Sequence, residues 1–189
     1  MDSKLQIISG RLRGYKLNLP LGARPTQNRA RIAVFNMLSG LMPSDGVRCV
    51  WDAFAGSGAL GLEVLSRYDN STAIFTDVSD VSIKTITRNL TGAKLDSGRY
   101  VIKNENAIQV VKKYAVNADL VFVDPPYDNA DTGIKFVQKL AEFVSPGALV
   151  VQEIESGVDY SPDGSVWNVL RDKTYGRARF VILQRNNNK

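Results

Sequence analysis

One four-residue motif, Asp124-Pro125-Pro126-Tyr127, carries residue types that can activate the exocyclic amine of a nucleic-acid base. Such an amine is a weak nucleophile because its lone pair is delocalised into the ring. The carboxylate of Asp124 and the carbonyl oxygen of Pro125 can accept its two N–H groups and stabilise the positive charge that develops as the nitrogen becomes tetrahedral. Tyr127 can stack on the base, and the prolines stiffen the loop. The motif predicts a catalytic site for a base that is single-stranded or flipped out of a duplex.

A glycine-rich segment upstream is the candidate cofactor site. Gly56, Gly58 and Gly61 have the G-x-G-x-x-G spacing, at the junction between a predicted strand and a predicted helix. The spacing alone fits a dinucleotide equally well. Asp52, at the end of the strand, would repel a pyrophosphate but can bind the ammonium group of a methionine moiety, so the sequence favours S-adenosylmethionine. The predicted cofactor-binding residues are Asp52, Phe54, Ala55, Gly56, Ser57, Gly58, Asp77, Val78, Asn106 and Ala107.

Some acidic and amide residues near the strand ends have two interpretations. Asp77 ends the second predicted strand, where a carboxylate can accept both ribose hydroxyls or supply charge to the start of the next helix. Asn106 follows the third predicted strand, where its amide can bind the adenine edge or cap a helix. Glu153 and Glu155 follow the fifth predicted strand at the ligand-binding edge of the sheet, where they could line the site, and a solvated loop is the interpretation that we prefer.

The composition excludes several kinds of chemistry. The chain has no histidine and one cysteine, Cys49, which excludes an internal disulfide, Ser-His and Cys-His catalysis and the usual transition-metal sites. No metal is therefore predicted. The sequence has no apolar stretch long enough to span a membrane and no basic leader followed by an apolar run, so we expect a cytoplasmic protein.

The positive charge is concentrated at the start of the chain. The net charge is +5, and residues 1–31 alone carry seven basic residues against one acid. A basic arm on a near-neutral body is typical of an attachment that binds a polyanion, although a solvated basic surface gives the same composition.

The apolar pattern predicts an α/β fold with an N-terminal extension. Residues 6–19 predict a small hairpin, and an apolar stripe from Ala30 to Leu41 predicts a helix with Arg29 and Arg31 off the stripe. A turn-rich junction then divides the chain into an extension, 1–45, and a main domain, 46–189. Strands predicted at 47–53, 72–77, 100–103, 118–124 and 148–151 alternate with helices, as in βαβ units, and strands at 166–173 and 177–184 form a terminal antiparallel hairpin.

These residues resemble the RsmD-type methyltransferases, which methylate N2 of a guanine in small-subunit (16S) ribosomal RNA. The similar segments are 8–14, 24–26, 35–36, 52–61, 89–90, 124–127 and 175–176. The resemblance implies a Rossmann-like class I methyltransferase sheet of seven strands with an antiparallel last strand. It also implies S-adenosylmethionine as cofactor and small-subunit RNA as partner, and we expect a monomer. The residues expected to dock the RNA are Arg11, Arg13, Arg24, Thr26, Arg29 and Arg31.

The sequence departs from the family pattern at three positions. Asn28 and Ile32 stand where acids are usual, and Asp77 replaces a glutamate. Without those acids we expect Arg29 and Arg31 to be less internally paired and freer to bind phosphate.

Other functions remain open at this stage. The glycine loop and the Asp124 motif also fit a DNA adenine-N6 methyltransferase. A methyltransferase for protein glutamine usually has Asn in place of Asp124, and the basic arm would have no task there. A catalytically silent RNA-binding assembly factor is the alternative from a different class, and the intact Asp52 and Asp124 disfavour it.

Overall fold

The computed structural model describes residues 5–21, 28–44, 46–126 and 130–187. Its helices are α1 (Asn28–Ser39), α2 (Ala59–Arg67), α3 (Asp80–Gly92), α4 (Val111–Ala115) and α5 (Ala130–Leu140), with a short 3-10 helix at Ser97–Arg99. Its strands are β1 (Cys49–Asp52), β2 (Thr72–Asp77), β3 (Tyr100–Asn104), β4 (Leu120–Val123), β5 (Leu149–Glu155), β6 (Trp167–Tyr175) and β7 (Ala178–Arg185).

The strands form one seven-stranded sheet in the order β3-β2-β1-β4-β5-β7-β6. Neighbours among the first five strands pair in parallel. β7 is antiparallel to both β5 and β6, so β6 points in the same direction as the parallel strands. This arrangement confirms the predicted sheet with a single antiparallel strand, the last in sequence.

The central strands are buried on both faces of the sheet, which explains their continuous apolar runs. Along β4, Leu120 and Phe122 pack on the face that α1 and α2 cover, whereas Val121 and Val123 pack on the face that α4 and α5 cover. No helix in the described ranges is both long and apolar enough to cross a membrane.

The N-terminal hairpin is present, although Gln6 and Lys16 form an isolated antiparallel bridge rather than part of two full strands. The hairpin docks on the end of α2. Gly10, at φ 81°, packs so closely that a Cβ atom there would lie 1.9 Å from the carbonyl oxygen of Ser66. Leu5 and Ile7 belong to the same hydrophobic cluster as the α1 face of the sheet, so the hairpin and the sheet share one core.

Three predicted boundaries and faces are wrong. β5 continues to Glu155 because β7 pairs with it as far as Glu155 and Ala178, so Glu153 and Glu155 are strand residues, and Glu153 is buried. α5 ends at Leu140, whereas the apolar stripe formed by Ile134, Val137, Leu140, Ala141 and Val144 predicts a helix as far as Val144. Arg31 lies on the buried face of α1 beside Val34 and Phe35, not off the stripe.

Candidate active site

Three aspartates meet at the carboxyl edge of the sheet. In the register of β1, Asp52 is opposite Phe75 of β2 and Phe122 of β4. Asp77 is the last residue of β2, and Asp124 directly follows β4, so all three lie where the adjacent parallel strands end. Ligands of open α/β sheets bind in the crevice outside these strand ends.

Asp52 is a buried carboxylate, only 2% exposed, whose Oδ2 accepts a hydrogen bond of 3.0 Å from the N–H of Gly61. Burial raises the pKa of Asp52 to about 7. The hydrogen bond from Gly61 opposes this increase, and the nearby charge of Asp77 adds a smaller increase. A bound cation would favour the ionised form and offset the free-energy cost of burying a charged carboxylate. The site therefore fits the ammonium group of a cofactor.

The glycine loop between β1 and α2 combines open backbone with tight packing. At Gly56, φ is 53° and no atom lies within 4 Å of an added Cβ, so the backbone faces open space. At Gly61, an added Cβ would lie 2.4 Å from Cε1 of Phe75 in β2, so glycine lets α2 pack against the sheet. The loop thus has the features that glycine provides in cofactor-binding turns, a close approach and tight helix–strand packing.

Asp77 holds the glycine loop to the start of α3. Its Oδ2 accepts a 2.8 Å hydrogen bond from the N–H of Gly56, and its Oδ1 accepts a 2.8 Å bond from the N–H of Ser79, the N-cap residue of α3. These contacts are compatible with both interpretations of Asp77. Its carboxylate orders the start of α3, and it also lies at the edge of the sheet where a cofactor would bind. Val78, which follows it, is 66% exposed there.

The residues between Asp52 and Gly58 are anchored from the adjacent strand. The N–H of Ala55 donates to the carbonyl of Thr76 at 3.0 Å, and the Thr76 hydroxyl donates to the carbonyl of Ala53 at 2.8 Å. The half-buried ring of Phe54 packs edge-on against Phe136 of α5, with 5.3 Å between the ring centroids.

Asn89 is a site residue to which the sequence assigned no role. Its fully buried amide donates to the carbonyl of Ser57 in the glycine loop at 2.9 Å and to the carbonyl of Asn18 at 3.0 Å. Its Oδ1 accepts from both the backbone and the side chain of Asn18. Asn89 therefore joins the N-terminal extension to the cofactor loop. The available signal was a polar residue between the apolar positions Ile86 and Leu90 of α3.

Asp124 is half-buried, Pro125 is buried and Pro126 is exposed. Pro125 packs against α5, where a Cβ at Gly133 would lie 3.0 Å from its Cγ. Gln152 of β5 lies beneath the same contact, with its Nε2 3.6 Å from that Cβ position, and it is another residue that sequence reasoning missed. Tyr127 lies outside the described residues.

Asn106 caps a turn rather than α4. Its Oδ1 accepts from the N–H of Ile108 at 3.0 Å, whereas the N-cap residue of α4 is Val110. The Asn106 side chain is exposed beyond the end of β3, and the adjacent Ala107 is buried.

The residues expected to dock RNA fall into three groups. Arg11, Arg13 and Arg29 are exposed, and Arg11 makes a 4.0 Å surface ion pair with Asp69. Arg24 and Thr26 lie outside the described residues.

Arg31 forms the third group, and its predicted RNA contact is wrong because its side chain is fully buried. Its Nη2 donates to the carbonyl of Gln6 and, at 2.9 Å, to Oδ1 of Asn28. Burial lowers the pKa of Arg31, while the charge of Glu63 opposes this change. The departure at Asn28 therefore does not release Arg31 to bind phosphate, because the two side chains bond each other.

The fold and the glycine loop, with acidic residues ending β1 and β2, define a Rossmann-like class I methyltransferase. A family profile described as Conserved hypothetical protein 95 matches residues 5–184. The chain belongs to this family, the RsmD-type methyltransferases.

Individual relatives match over almost the whole chain. Ribosomal RNA small subunit methyltransferase D of Escherichia coli (strain K12) is 33% identical, with 97% of this chain and 91% of that protein covered. The protein of the same name from Haemophilus influenzae is 30% identical, with 96% and 94% covered. The solved structure of Escherichia coli yhhF has a TM-score of 0.83 at 29% identity and covers 98% of this chain and 99% of that chain.

Proposed function

We propose that this protein transfers a methyl group from S-adenosylmethionine to the exocyclic N2 of a guanine in small-subunit ribosomal RNA. The observation that carries the proposal is the meeting of the buried Asp52, the glycine loop held by Asp77, and Asp124-Pro125 at one edge of the sheet. The names of its relatives support ribosomal RNA as the substrate class.

The cofactor would be held by residues whose present contacts fit it. Asp52 would bind the ammonium group, the open backbone at Gly56 would lie against the ligand, and Asp77 would accept the ribose hydroxyls. When bound, S-adenosylmethionine supplies an electrophilic methyl group. Phe54, Val78, Asn106 and Ala107 are proposed to line the remainder of the site.

The target base would be held by Asp124 and Pro125. Their carboxylate and carbonyl oxygens would accept the two N–H groups of the guanine amine and stabilise the charge that develops on nitrogen. Pro125 is fixed against α5, which restricts the position of its carbonyl group. Fixed acceptors lower the barrier because they need no reorganisation during the reaction.

The extension, 1–45, would dock the RNA, and the main domain, 46–189, would carry the reaction. Arg11, Arg13 and Arg29 present exposed cationic groups for phosphate. The shared core and the bonds from Asn89 to Asn18 hold the extension in a fixed position relative to the cofactor loop.

The test is transfer of labelled methyl from S-adenosylmethionine to small ribosomal subunits that lack the modification, followed by nuclease digestion and mass spectrometry of the nucleosides. Labelled N2-methylguanosine is the expected product. Label on adenine N6, or on DNA offered in parallel, would retain the chemistry and overturn the substrate. Binding of subunits and cofactor without transfer would favour a silent assembly factor.

A further inference from the structure

A groove runs between α1 and the edge strand β6 on one face of the sheet. It encloses about 520 Å³ and is lined by Arg29, Ile32, Ala33, Asn36, Met37, Gly40, Arg171 and Tyr175. The helical residues recur every three or four positions, so they form one stripe beside the buried stripe of α1. We call this feature the α1–β6 groove.

The strand register puts the β6 residues on the α1 side of the sheet. Arg171 is opposite Ile182, and Tyr175 is opposite Ala178. Directly opposed residues of an antiparallel pair share a face, and both of these β7 partners belong to the hydrophobic cluster that contains Phe35 of α1. Arg171 and Tyr175 therefore project beside α1.

The groove reaches the catalytic edge of the sheet. β6 runs in the direction of the parallel strands, so Tyr175, its last residue, lies at the carboxyl edge. Leu41, just after α1, lines a depression together with Arg48 and Asp119, which precede β1 and β4. The end of α1 is thus at the amino edge, and Arg29 in its first turn lies toward the carboxyl edge. Arg171 lies about 13 Å along the strand from Tyr175.

The chemistry of the lining is that of a single-stranded nucleic-acid site. Two guanidinium groups flank exposed apolar surface at Ile32 (40%) and Tyr175 (42%), and none of the described residues that line the groove is acidic. Arg177 and Arg179 of the β6–β7 hairpin are ion-paired, whereas Arg171 makes no ion pair within the described part of the chain. Cationic groups with an exposed aromatic ring bind phosphates and stack bases without requiring a duplex.

We infer that the α1–β6 groove binds the single-stranded ribosomal RNA that flanks the target guanine. Arg29 and Arg171 contact phosphates, and Tyr175 stacks on a neighbouring base. The inference rests on the proposed function, because the RNA in the groove is continuous with the base at Asp124. It adds a second contact surface to the hairpin arginines and assigns a role to Tyr175, which the sequence resemblance left without one.

Binding measurements that need no methyl transfer test this inference. The variants are Arg171→Gln, Tyr175→Leu and Tyr175→Phe, with Arg48→Gln at the opposite edge of the sheet as the matched control. The probes are unmodified small subunits and a short labelled single-stranded RNA. Tyr175→Leu should weaken binding of both probes about ten-fold, and Tyr175→Phe should retain it, because stacking needs the ring but not the hydroxyl group.

The salt dependence separates a phosphate contact from a loss of folding. Arg171→Gln should lower the slope of log K against log salt by about one, while Arg48→Gln leaves it unchanged. Cofactor affinity, measured by calorimetry, should be the same in all variants, which also shows that they are folded.

Other results of these binding experiments would contradict the groove, its RNA occupant or the proposed function. Wild-type binding of both probes by Tyr175→Leu and Arg171→Gln would overturn the groove, and so would failure of the wild-type protein to bind the single-stranded RNA at low salt. If the variants lose binding to subunits but bind the short single-stranded RNA as the wild-type protein does, the groove binds a ribosomal protein instead of RNA. If the wild-type protein binds RNA through the groove but forms no N2-methylguanosine, the result contradicts the proposed function and leaves RNA binding by the groove intact.

Discussion

At the scale of single residues, the proposed role of Asp52 in cofactor binding predicts that the affinity for the cofactor depends on pH. The Asp52 pKa of about 7 means that much of the carboxyl group is neutral near neutral pH without cofactor. Because an ammonium group binds the ionised form, we expect the affinity for S-adenosylmethionine to fall about ten-fold per pH unit below pH 6 and to be highest at about pH 7–8, above which an α-amino group itself loses its charge. Calorimetry across this pH range would measure the affinity for the cofactor. An affinity that is independent of pH, equal to that of Asp52→Asn, would contradict the assignment.

The same group predicts how the stability of the cofactor-free protein changes with pH. The folded pKa of Asp52 is above its ordinary value of 3.8, so the folded state holds the proton more tightly. The protonated carboxyl group therefore contributes up to about 4 kcal/mol to the free energy of unfolding. This contribution is fully present below about pH 4 and is lost as the pH rises through about 7. Asp52→Asn should therefore raise the free energy of unfolding at pH 8 and change it little at pH 4. Urea denaturation at both values would test this, and equal effects at the two values would refute it.

Asp124 has a different expected role from Asp52, and its substitution should separate catalysis from cofactor binding. Asp124→Ala removes one acceptor for the target amine, so we expect kcat to fall by about 100- to 1000-fold or more, with little change in cofactor affinity. Glu142→Gln removes an exposed carboxylate just beyond α5 and is the control. Loss of cofactor binding in Asp124→Ala would contradict the division of roles.

At the scale of secondary-structure elements, Asn89 connects α3, the glycine loop and the hairpin. Asn89→Leu removes the bonds to Ser57 and Asn18 and leaves buried polar groups without these partners. We expect a loss of about 2–4 kcal/mol of stability and weaker cofactor binding even at temperatures where the variant is folded. Thermal denaturation and calorimetry would measure both. Thr87→Ala, on the exposed side of α3, is the control, and a stability loss with unchanged cofactor affinity would limit Asn89 to a structural role.

At the scale of the whole molecule, local patterns predicted the sheet because strands with two buried faces and amphipathic helices leave clear signals. β2 has the predicted bounds, Thr72–Asp77, and the glycine loop and Asp124 lie at the predicted edge. Features that depend on distant partners were missed. β5 extends because β7 pairs beside it, Asn89 bonds Asn18 71 positions away, and Arg31 is buried where the carbonyl oxygen of Gln6 accepts a hydrogen bond from it.

The basic residues of the extension therefore divide into surface groups and one core group, which a comparison of variants can separate. Arg11→Gln and Arg13→Gln together should lower the salt slope of subunit binding by about two and leave stability nearly unchanged, because both side chains are exposed. Arg31→Met should instead cost about 1–3 kcal/mol of stability, since it leaves the carbonyl of Gln6 and Oδ1 of Asn28 without their buried donor. At temperatures where Arg31→Met is folded, its salt slope should equal that of the wild-type protein. A reduced slope in that variant would return Arg31 to the RNA interface, because only a group that displaces counterions from phosphate changes this slope.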